Sequence, residues 1–306
     1  MTAQRQAIMQ VHQMSVSQFE EAFQDEDDCK SYLANNRWPV GVCCPRCGAG
    51  EVTEHGTRDW HWMCYACAPD GYRFSVLVGT IFENTNKPLR EWFRVMHLML
   101  TSKKGISALQ VMRYMGFGSY NTALKMCNKI RVALSGADFR QLVGVVECDE
   151  TFVGGKAKNK HGGNDKGGTG GGHSGNKKEV VIACVERKGN VVARVIANTS
   201  KATLDAFVNE VVSHKVSLIC TDEYHGYNNV WKLAKHRTVC HSRGEYVNGA
   251  VHTNTIEGFW SIVKRGIMGT FHKVSRKYLT LDVAEFEFRY NNRMNADIFG
   301  AAIRAC

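Results

Sequence analysis

The sequence lacks any long apolar run, and none approaches the roughly 18 residues that a membrane-spanning helix needs. It also lacks a signal peptide, because residues 1–28 are polar and carry six acids against the single base Arg5. We therefore expect a protein that meets no membrane and stays in a reduced compartment. That compartment would be the cytoplasm or nucleoid of a bacterium, or the nucleus of a eukaryote.

Acids are scarce after this N-terminal stretch. The 306 residues carry a net charge of +10, and residues 1–28 contribute about −5, so residues 29–306 carry about +15. Such a surplus indicates a polyanionic partner, although charge alone does not separate DNA from RNA or an acidic protein. The length and the 44% hydrophobic content predict two or three packed domains.

Four of the twelve cysteines have the spacing of a zinc site. The pairs Cys44/Cys47 and Cys64/Cys67 form C-x2-C-x16-C-x2-C, in which two tight turns direct four thiolates at one ion. Cys43 is a competing neighbour, but Pro45 and the spacing favour Cys44. This pattern predicts one structural Zn²⁺. Other cysteines lie in apolar strand-like runs and are expected to be small core residues: Cys148, Cys184 and Cys220.

The residues between the two cysteine pairs suit a hairpin with a basic and aromatic surface. That surface would comprise Arg58, Trp60, His61 and Trp62, and it could touch nucleic acid. The alternative is a zinc-stapled module that holds protein rather than DNA.

A helix-turn-helix region is predicted next. Pro88 begins a helix of apolar periodicity, and two further helices follow at about 107–115 and 119–134 around Gly116-Phe-Gly118. In the third helix a core face is expected at Tyr120, Ala123, Leu124, Cys127 and Ile130. The opposite face would present DNA-binding side chains: Asn121, Lys125, Asn128 and Lys129. Any three-helix bundle has a polar face, however, so base reading stays one of two interpretations.

From residue 141 the pattern changes to alternating strands and helices. Strands are expected at 142–148, 179–186, 191–197, 216–222 and 236–241, with helices at 203–213 and 227–234 and from 254 onward. This order predicts a mixed five-stranded α/β sheet of ribonuclease H-like topology. A Gly-rich insertion at 154–175, which includes Lys156, is expected to be a basic flap that orders on DNA, or else a flexible insertion only.

Three acids end or begin elements of this sheet. Asp149 follows the first apolar run, Asp222 ends a second, and Glu257 lies in the first turns of the last long helix. Alone, each would be an ordinary surface acid. Together, strand ends and a helix can place them at one sheet edge, where three carboxylates could hold two Mg²⁺ (or Mn²⁺) ions for phosphoryl transfer.

At these residues the sequence resembles the ISXO-type insertion-sequence transposases, with similarity to the eukaryotic Merlin transposases. The resemblance is carried by Glu-Cys-Asp149-Glu-Thr-Phe-Val-Gly-Gly-Lys, Thr-Asp222-Glu-Tyr-His-Gly-Tyr and His-Thr-Asn-Thr-Ile-Glu257-Gly-Phe-Trp-Ser-Ile-Val-Lys-Arg, with 34 residues between the last two acids. It spans about residues 15–293. It implies a ribonuclease H-like fold, an acidic catalytic triad, cleavage at terminal inverted repeats, strand transfer into target DNA, and a homodimer or higher oligomer on DNA.

The helix that carries Glu257 has two basic residues about two turns further on. Lys264 shares the face of Glu257 and Ser261, and it could hold the phosphate beside the scissile bond; Arg265 is a further expected DNA contact. A Tyr and an Arg precede the glutamate in some relatives and are absent here. His252 could assist the site or be structural.

We expect four segments: a helical lead-in (1–36), a zinc ribbon (37–84), the helix-turn-helix region (85–138) and the catalytic domain (139–306). The leading hypothesis is a DNA-cutting and joining enzyme. The alternatives are a non-catalytic zinc-ribbon DNA-binding regulator derived from a transposase, and a ribonuclease H-like structure-specific nuclease.

Overall fold

The computed structural model describes residues 14–67, 69–136, 139–154, 178–222, 227, 235–238, 247–248 and 251–306. The chain divides into two compact units, Met1–Ala137 with Asn292–Cys306, and Asp138–Asn291. The expected catalytic domain ran to residue 306, whereas residues 292–306 belong to the first unit. Within the described ranges no helix is both long and apolar enough to cross a bilayer.

The first unit begins with two capped helices, α1 (Val16–Ala22) and α2 (Glu26–Arg37). Ser15 and Asp25 accept backbone N–H groups of the first turns, and each forms a capping box with the residue three positions later. The C-terminal helix α9 (Ile298–Arg304) belongs to this unit because Phe299 packs among aromatic rings of the lead-in and of the helix that follows the ribbon. This packing explains why the unit includes both ends of the chain.

A three-stranded antiparallel sheet forms the ribbon, with β1 (Thr53–Glu54), β2 (His61–Cys64) and β3 (Tyr72–Ser75) in that order. Trp62 is buried between Trp38 and Phe74, and the Trp60 indole donates to Asp27 Oδ1 at 3.0 Å. The expected place on a nucleic-acid surface is therefore wrong for Trp62, which is buried, whereas for the half-buried Trp60 it stays a prediction. They pack the ribbon against its own unit, and Arg58 stays exposed.

Three helices follow, α3 (Leu89–Thr101), α4 (Ala108–Met115) and α5 (Tyr120–Leu134). Gly116 ends α4 in the left-handed conformation (φ 65°), which glycine adopts without a Cβ penalty. The buried face of α5 comprises Ala123, Met126, Cys127, Ile130, Arg131 and Leu134. Tyr120 is 48% exposed, so its expected place in the core is wrong.

The second unit is built on a five-stranded mixed sheet in the order β6-β5-β4-β7-β8. Its strands are β4 (Leu142–Val153), β5 (Glu179–Glu186), β6 (Val191–Ile196), β7 (Val212–Thr221) and β8 (His236–Thr238). β4, β5 and β6 pair antiparallel, and β7 lies parallel to both β4 and β8. A small hairpin of β9 (Val247–Asn248) and β10 (Val251–His252) lies outside this sheet.

Helices cover both faces of the sheet. On one face α6 (Lys201–Val211) packs on alternate residues of β4, including Val146 and Cys148. On the other face α7 (Asn254–Gly266) and α8 (Leu279–Asn291) pack on Val181, Ala183 and Val185 of β5. Asn291 and Glu287 of α8 also bond the backbone of β6 at Val191 and Ala193, so the outer edge of the sheet is partly occupied.

The elements differ from expectation in three respects. β4 continues to Val153 rather than ending at residue 148, because β5 pairs with it along its whole second half. The helix predicted at 203–213 is Lys201–Val211, and β7 begins at once at Val212. Cys148 and Cys184, expected to be separate core residues, face each other across β4 and β5 and are joined as a disulfide.

Several predictions lie outside the described residues. These are the Gly-rich segment from 155 to 175 with Lys156, the helix at 227–234 apart from Tyr227, and the last three residues of the fifth strand.

Candidate active site and metal centre

Four thiol groups converge in the ribbon. The sulphur atoms of Cys44, Cys47, Cys64 and Cys67 all lie within 4.8 Å of one another. Two cross-pairs measure 3.8 Å (Cys44 to Cys67) and 3.6 Å (Cys47 to Cys64), close to the separation of about 3.8 Å that four Zn–S bonds of about 2.3 Å give in a tetrahedron. Cys43 is not in the group, so Cys44 rather than its neighbour supplies the first thiol, as the spacing favours.

The backbone prepares one of these thiols for metal binding. Burial raises the pKa of Cys44, but hydrogen bonds from the backbone N–H groups of Cys47 and Arg46, together with those from the Cys47 and Cys64 thiols, bring that pKa down to about 7. The thiolate is the form that binds zinc. The four-cysteine cluster therefore fits one structural zinc ion.

In the second unit, neighbouring parallel strands bring Asp149 and Asp222 level with each other. The register pairs Val146 with Ile219 and Glu147 with Cys220. Two more residues along each strand reach Asp149 and Asp222, and neighbouring strands are about 4.8 Å apart. Val146 and Cys148 face α6, so Asp149, which alternates with them, faces the α7 side. Asp149 lies inside β4, because β5 still pairs with it there, opposite Ala183.

Electrostatics also indicates that these acids are close. Burial, together with the negative charges of Glu150 and Asp222, raises the pKa of Asp149 to about 7. The backbone N–H of Glu150, which donates to Asp149 Oδ1 at 2.9 Å, and the ammonium of Lys264 act in the opposite direction. Two half-buried carboxylates held together in this way favour a bound cation.

Glu150 is an acid that the sequence reasoning passed over. It faces the other side of β4, where the hydroxyl of Tyr227 donates to its Oε2 at 2.6 Å. Burial raises the pKa of Glu150, the Tyr227 hydrogen bond opposes that, and Asp222 raises it further. The adjacent acids in the sequence could have shown it, but not which face each one takes.

Glu257 lies on the exposed face of α7. The Thr253 hydroxyl donates to its Oε1 at 3.1 Å. Ser261 and Lys264 follow on the same helix face, and the charge of Lys264 acts on Asp149. Among the described side chains, the four cysteines are the one group of three or more potential metal ligands that lie close together, and the three predicted acids do not make a second such group. The strand register thus places Asp149 and Asp222 level with each other, and Glu257 lies on α7. The joint role of the three acids stays a prediction.

Glu147 fixes the start of the helix that carries Glu257. This fully buried carboxylate accepts the backbone N–H groups of Thr255 at 2.8 Å and Ile256 at 3.0 Å, as well as the Thr255 hydroxyl at 3.0 Å. Arg187 donates to it at 2.6 Å and also donates to the His252 carbonyl at 2.9 Å. A negative charge at a helix N-terminus is favourable. Glu147, two residues before Asp149, therefore ties β4 to α7.

His252 lies beside the same network: its carbonyl accepts from Arg187, and its Nδ1 is 3.2 Å from Glu147 Oε1 without forming a hydrogen bond to it. This position favours the structural interpretation of His252 over a role beside Asp149. The sequence signal for the network was an acid amid the apolar residues of a buried strand, since such an acid needs donors.

The expected DNA contacts are divided between exposed and engaged residues. Asn121, Lys125, Arg58, Lys264 and Arg265 are exposed. Asn128 and Lys129 make contacts within their own unit: Asn128 Oδ1 accepts from Arg131 at 3.2 Å, and Lys129 donates to the Ile81 carbonyl at 3.2 Å and lies over Trp92. Lys129 is nevertheless exposed and Asn128 is half-buried, so the role of this face of α5 in DNA binding stays a prediction.

Comparison with known families matches both units. The description "ISXO2-like transposase domain" fits residues 141–291, and "transposase zinc-ribbon domain" fits residues 24–69. The first match ends where the second unit ends.

Two individual proteins are also similar to this chain, both at low sequence identity. The uncharacterized protein in transposable element ISH50 of Halobacterium salinarum is 27% identical over 278 residues, which cover 87% of this chain and 91% of that protein. One chain of the cryoEM structure of a simian T-cell lymphotropic virus intasome in complex with the PP2A regulatory subunit B56 gamma has 13% sequence identity to this chain. It matches 64% of this chain and 65% of its own, just under two thirds, with a TM-score of 0.29, which is too low to support an argument.

Proposed function

The chain belongs to the ISXO2-like transposases, and from this premise we propose that it binds the terminal inverted repeats of its element, cleaves DNA phosphodiesters there and transfers the 3′-hydroxyl ends into target DNA. One observation supports the chemistry most directly: Asp149 and Asp222 lie level on neighbouring parallel strands, and the charge of Asp222 raises the pKa of Asp149 beyond the effect of burial. A ribonuclease H-like fold is part of the proposal, and the strand order fits it.

The donor set fits hard divalent cations. Carboxylate oxygens are the ligands that Mg²⁺ prefers, and Mn²⁺ accepts them too. Asp149 and Asp222 would hold the ions, with Glu257 as the third carboxylate from α7. When bound, two such ions supply activation of water or a 3′-hydroxyl and stabilisation of the leaving oxygen.

Each side chain has a defined part in the proposal. A divalent cation held by Asp149 would favour the ionised form of that carboxylate and would offset its repulsion with Asp222. The exposed ammonium of Lys264 would hold the phosphate beside the scissile bond, on the side from which its charge reaches Asp149. Asn121 and Lys125 of α5 would contact duplex DNA, as would Arg58 of the zinc ribbon. Synapsis of two element ends would require a homodimer or larger assembly.

The test is a cleavage and joining assay on a labelled duplex that carries the terminal repeat of the element. We expect Asp149→Asn to abolish Mg²⁺-dependent cleavage and to leave DNA affinity unchanged, because only the metal-binding charge is lost. Asp70→Asn, which removes an exposed acid of the ribbon, is the matched control and should cut normally. Undiminished turnover by Asp149→Asn would remove the catalytic assignment.

The same assay separates the alternatives. A regulator derived from a transposase would bind the repeat without cutting it. A structure-specific nuclease would cut without forming a joined product. Cleavage followed by joining is the result that the proposal requires.

A further inference from the structure

A run of basic side chains connects α7 to α8. It comprises Lys264, Arg265, His272, Lys273, Arg276 and Lys277, all exposed, and is referred to here as the basic strip. No acid occurs in the sequence between Glu257 and Asp282, and Asp282 is buried. Five lysine and arginine charges therefore share one short surface segment with no acid among them.

The segment is held in place by its apolar residues. Ile267, Phe271 and Val274 pack against the core beneath α7 and α8, and Leu279 is buried in that core. A π-helical turn (Ile267–Phe271) and a 3-10 turn (Arg276–Tyr278) bridge the two helices. Because the apolar side chains face inward, the basic ones are directed outward on an anchored backbone.

Few of these charges are neutralised within the unit. Arg276 pairs with Glu179 at 2.9 Å, and both side chains reach solvent. Arg265 Nε donates to the Ser261 carbonyl, and Lys277 lies near the ring of Tyr278. In the described part of the chain, no carboxylate forms an ion pair with the side chains of Lys264, Arg265, Lys273 or Lys277. A surface of like charges favours an anionic partner.

The basic strip also has a direction relative to the candidate active site. Lys264, at one end, acts on the charge of Asp149. Arg276, near the other end, pairs with Glu179, which lies opposite Val153 on β4. From Asp149 to Val153 the strand advances four residues, about 13 Å at 3.3 Å per residue. The basic strip thus runs from the site along β4 over about 13 Å. That length spans about four phosphates of one DNA strand, at about 3.4 Å of helix axis per phosphate.

We propose that the basic strip is a DNA-backbone surface that holds the duplex next to the scissile phosphate, on the side toward the C-terminal end of β4. The inference rests on the proposed function, which supplies the anionic partner. Transposon-end DNA and target DNA present the same phosphate chemistry, so the experiment distinguishes them.

Salt dependence of DNA binding tests the proposal. The full-length double variant Lys273→Gln/Lys277→Gln would be titrated with a fluorescent duplex that carries the terminal repeat, and with an unrelated duplex of equal length. Buffers would lack Mg²⁺ and Mn²⁺, so that no cleavage occurs. Each phosphate that the variant no longer neutralises should reduce the slope of log K against log salt by about 0.9, so we expect a reduction of about 1–2.

The matched control is Lys201→Gln/Lys215→Gln, which removes two exposed lysines outside the basic strip. It should keep the wild-type slope. A reduction with the repeat duplex alone would assign the basic strip to the transposon end, and a reduction with both duplexes would include target DNA.

If the Lys273→Gln/Lys277→Gln variant kept the wild-type slope of log K against log salt, the assignment of the basic strip as a DNA-backbone surface would be wrong. The proposed function would still stand, provided that the wild type binds DNA. Failure of the wild type to bind either duplex would instead overturn the proposed function, and the basic strip with it. All four lysines are exposed, and an unchanged circular dichroism spectrum would verify the fold of each variant.

Discussion

At the scale of single residues, the buried carboxylate of Glu147 gathers donors from α7 and from Arg187. It accepts hydrogen bonds from the first backbone amides of α7, and at the same time it forms an ion pair with the half-buried guanidinium of Arg187. A carboxylate that is wholly removed from water persists only when donors surround it in this way. The side chain is structural, yet it fixes the helix that bears Glu257 to the strand that bears Asp149.

We expect Glu147→Gln to lower the free energy of unfolding by about 3 kcal/mol, because removing one partner leaves Arg187 without its buried counter-charge. Chemical denaturation would measure the loss. Hydrogen exchange should show faster exchange of the Thr255 and Ile256 amides, which donate to this carboxylate.

The control for this change is Glu210→Gln. Glu210 pairs with Arg194 at 2.6 Å, but both side chains are about half exposed, so the cost should stay below about 1 kcal/mol. If both variants lost the same free energy of unfolding, burial would not make the Glu147–Arg187 pair more stabilising than the exposed Glu210–Arg194 pair.

At the scale of elements, periodicity was informative because helices and strands follow local rules. It predicted α3, α4, α5, the β5–β6 hairpin and α7 close to their observed bounds. It did not predict that β4 passes Asp149 and reaches Val153, since that extension depends on β5 as a partner. Nor could it place Tyr120 outside the core or Trp62 inside it, because the neighbours of both residues are set by tertiary packing.

In the candidate site, too, local patterns indicate some residues and tertiary contacts decide the role of others. Apolar runs followed by acids singled out Asp149 and Asp222, and the structure carries these two residues level with each other on β4 and beyond the end of β7. The role of Glu147 did not follow, because its partners Arg187, His252 and Thr255 are 40 to 108 residues away in the sequence. The exposed position of Glu257 on α7 was likewise not foreseeable from the interval between the acids.

The ribbon is the element most dependent on a bound ion. Its three strands are short, and its four thiols are adjacent without a salt bridge or disulfide among them. We expect Cys64→Ser to lose one zinc per chain and to weaken binding to the element end, since small sheets of this kind depend on metal for folding energy. Metal analysis of the purified protein and a titration with the repeat duplex would measure both.

Cys43→Ser is the matched control, because Cys43 neighbours the cluster without belonging to it. This variant should keep its zinc. Full zinc content in Cys64→Ser would reject the four-cysteine site, and loss of zinc in both variants would call for a different ligand set.

At the scale of the whole molecule, the first unit is discontinuous in sequence. Phe299 of α9, near the C-terminus, packs with Phe23 (ring centroids 5.6 Å apart), Tyr32 (5.8 Å) and Phe93 (5.5 Å). The lead-in, the helices after the ribbon and the last helix therefore share one aromatic core, and the second unit is inserted between its parts.

This arrangement predicts which unit a C-terminal substitution affects. Phe299→Ala removes a buried ring, at a cost of about 3–5 kcal/mol, and the loss should fall on the first unit although residue 299 follows the second in sequence. Hydrogen exchange should rise in α1, α2 and α3 and stay constant in β4 to β7. Phe207→Ala removes an equally buried ring that α6 packs on the five-stranded sheet. This variant should raise exchange in β4 to β7 and leave α1, α2 and α3 unchanged. If Phe299→Ala instead raised exchange in the five-stranded sheet, residues 292–306 would belong to the second unit, and the division of the chain would have to be redrawn.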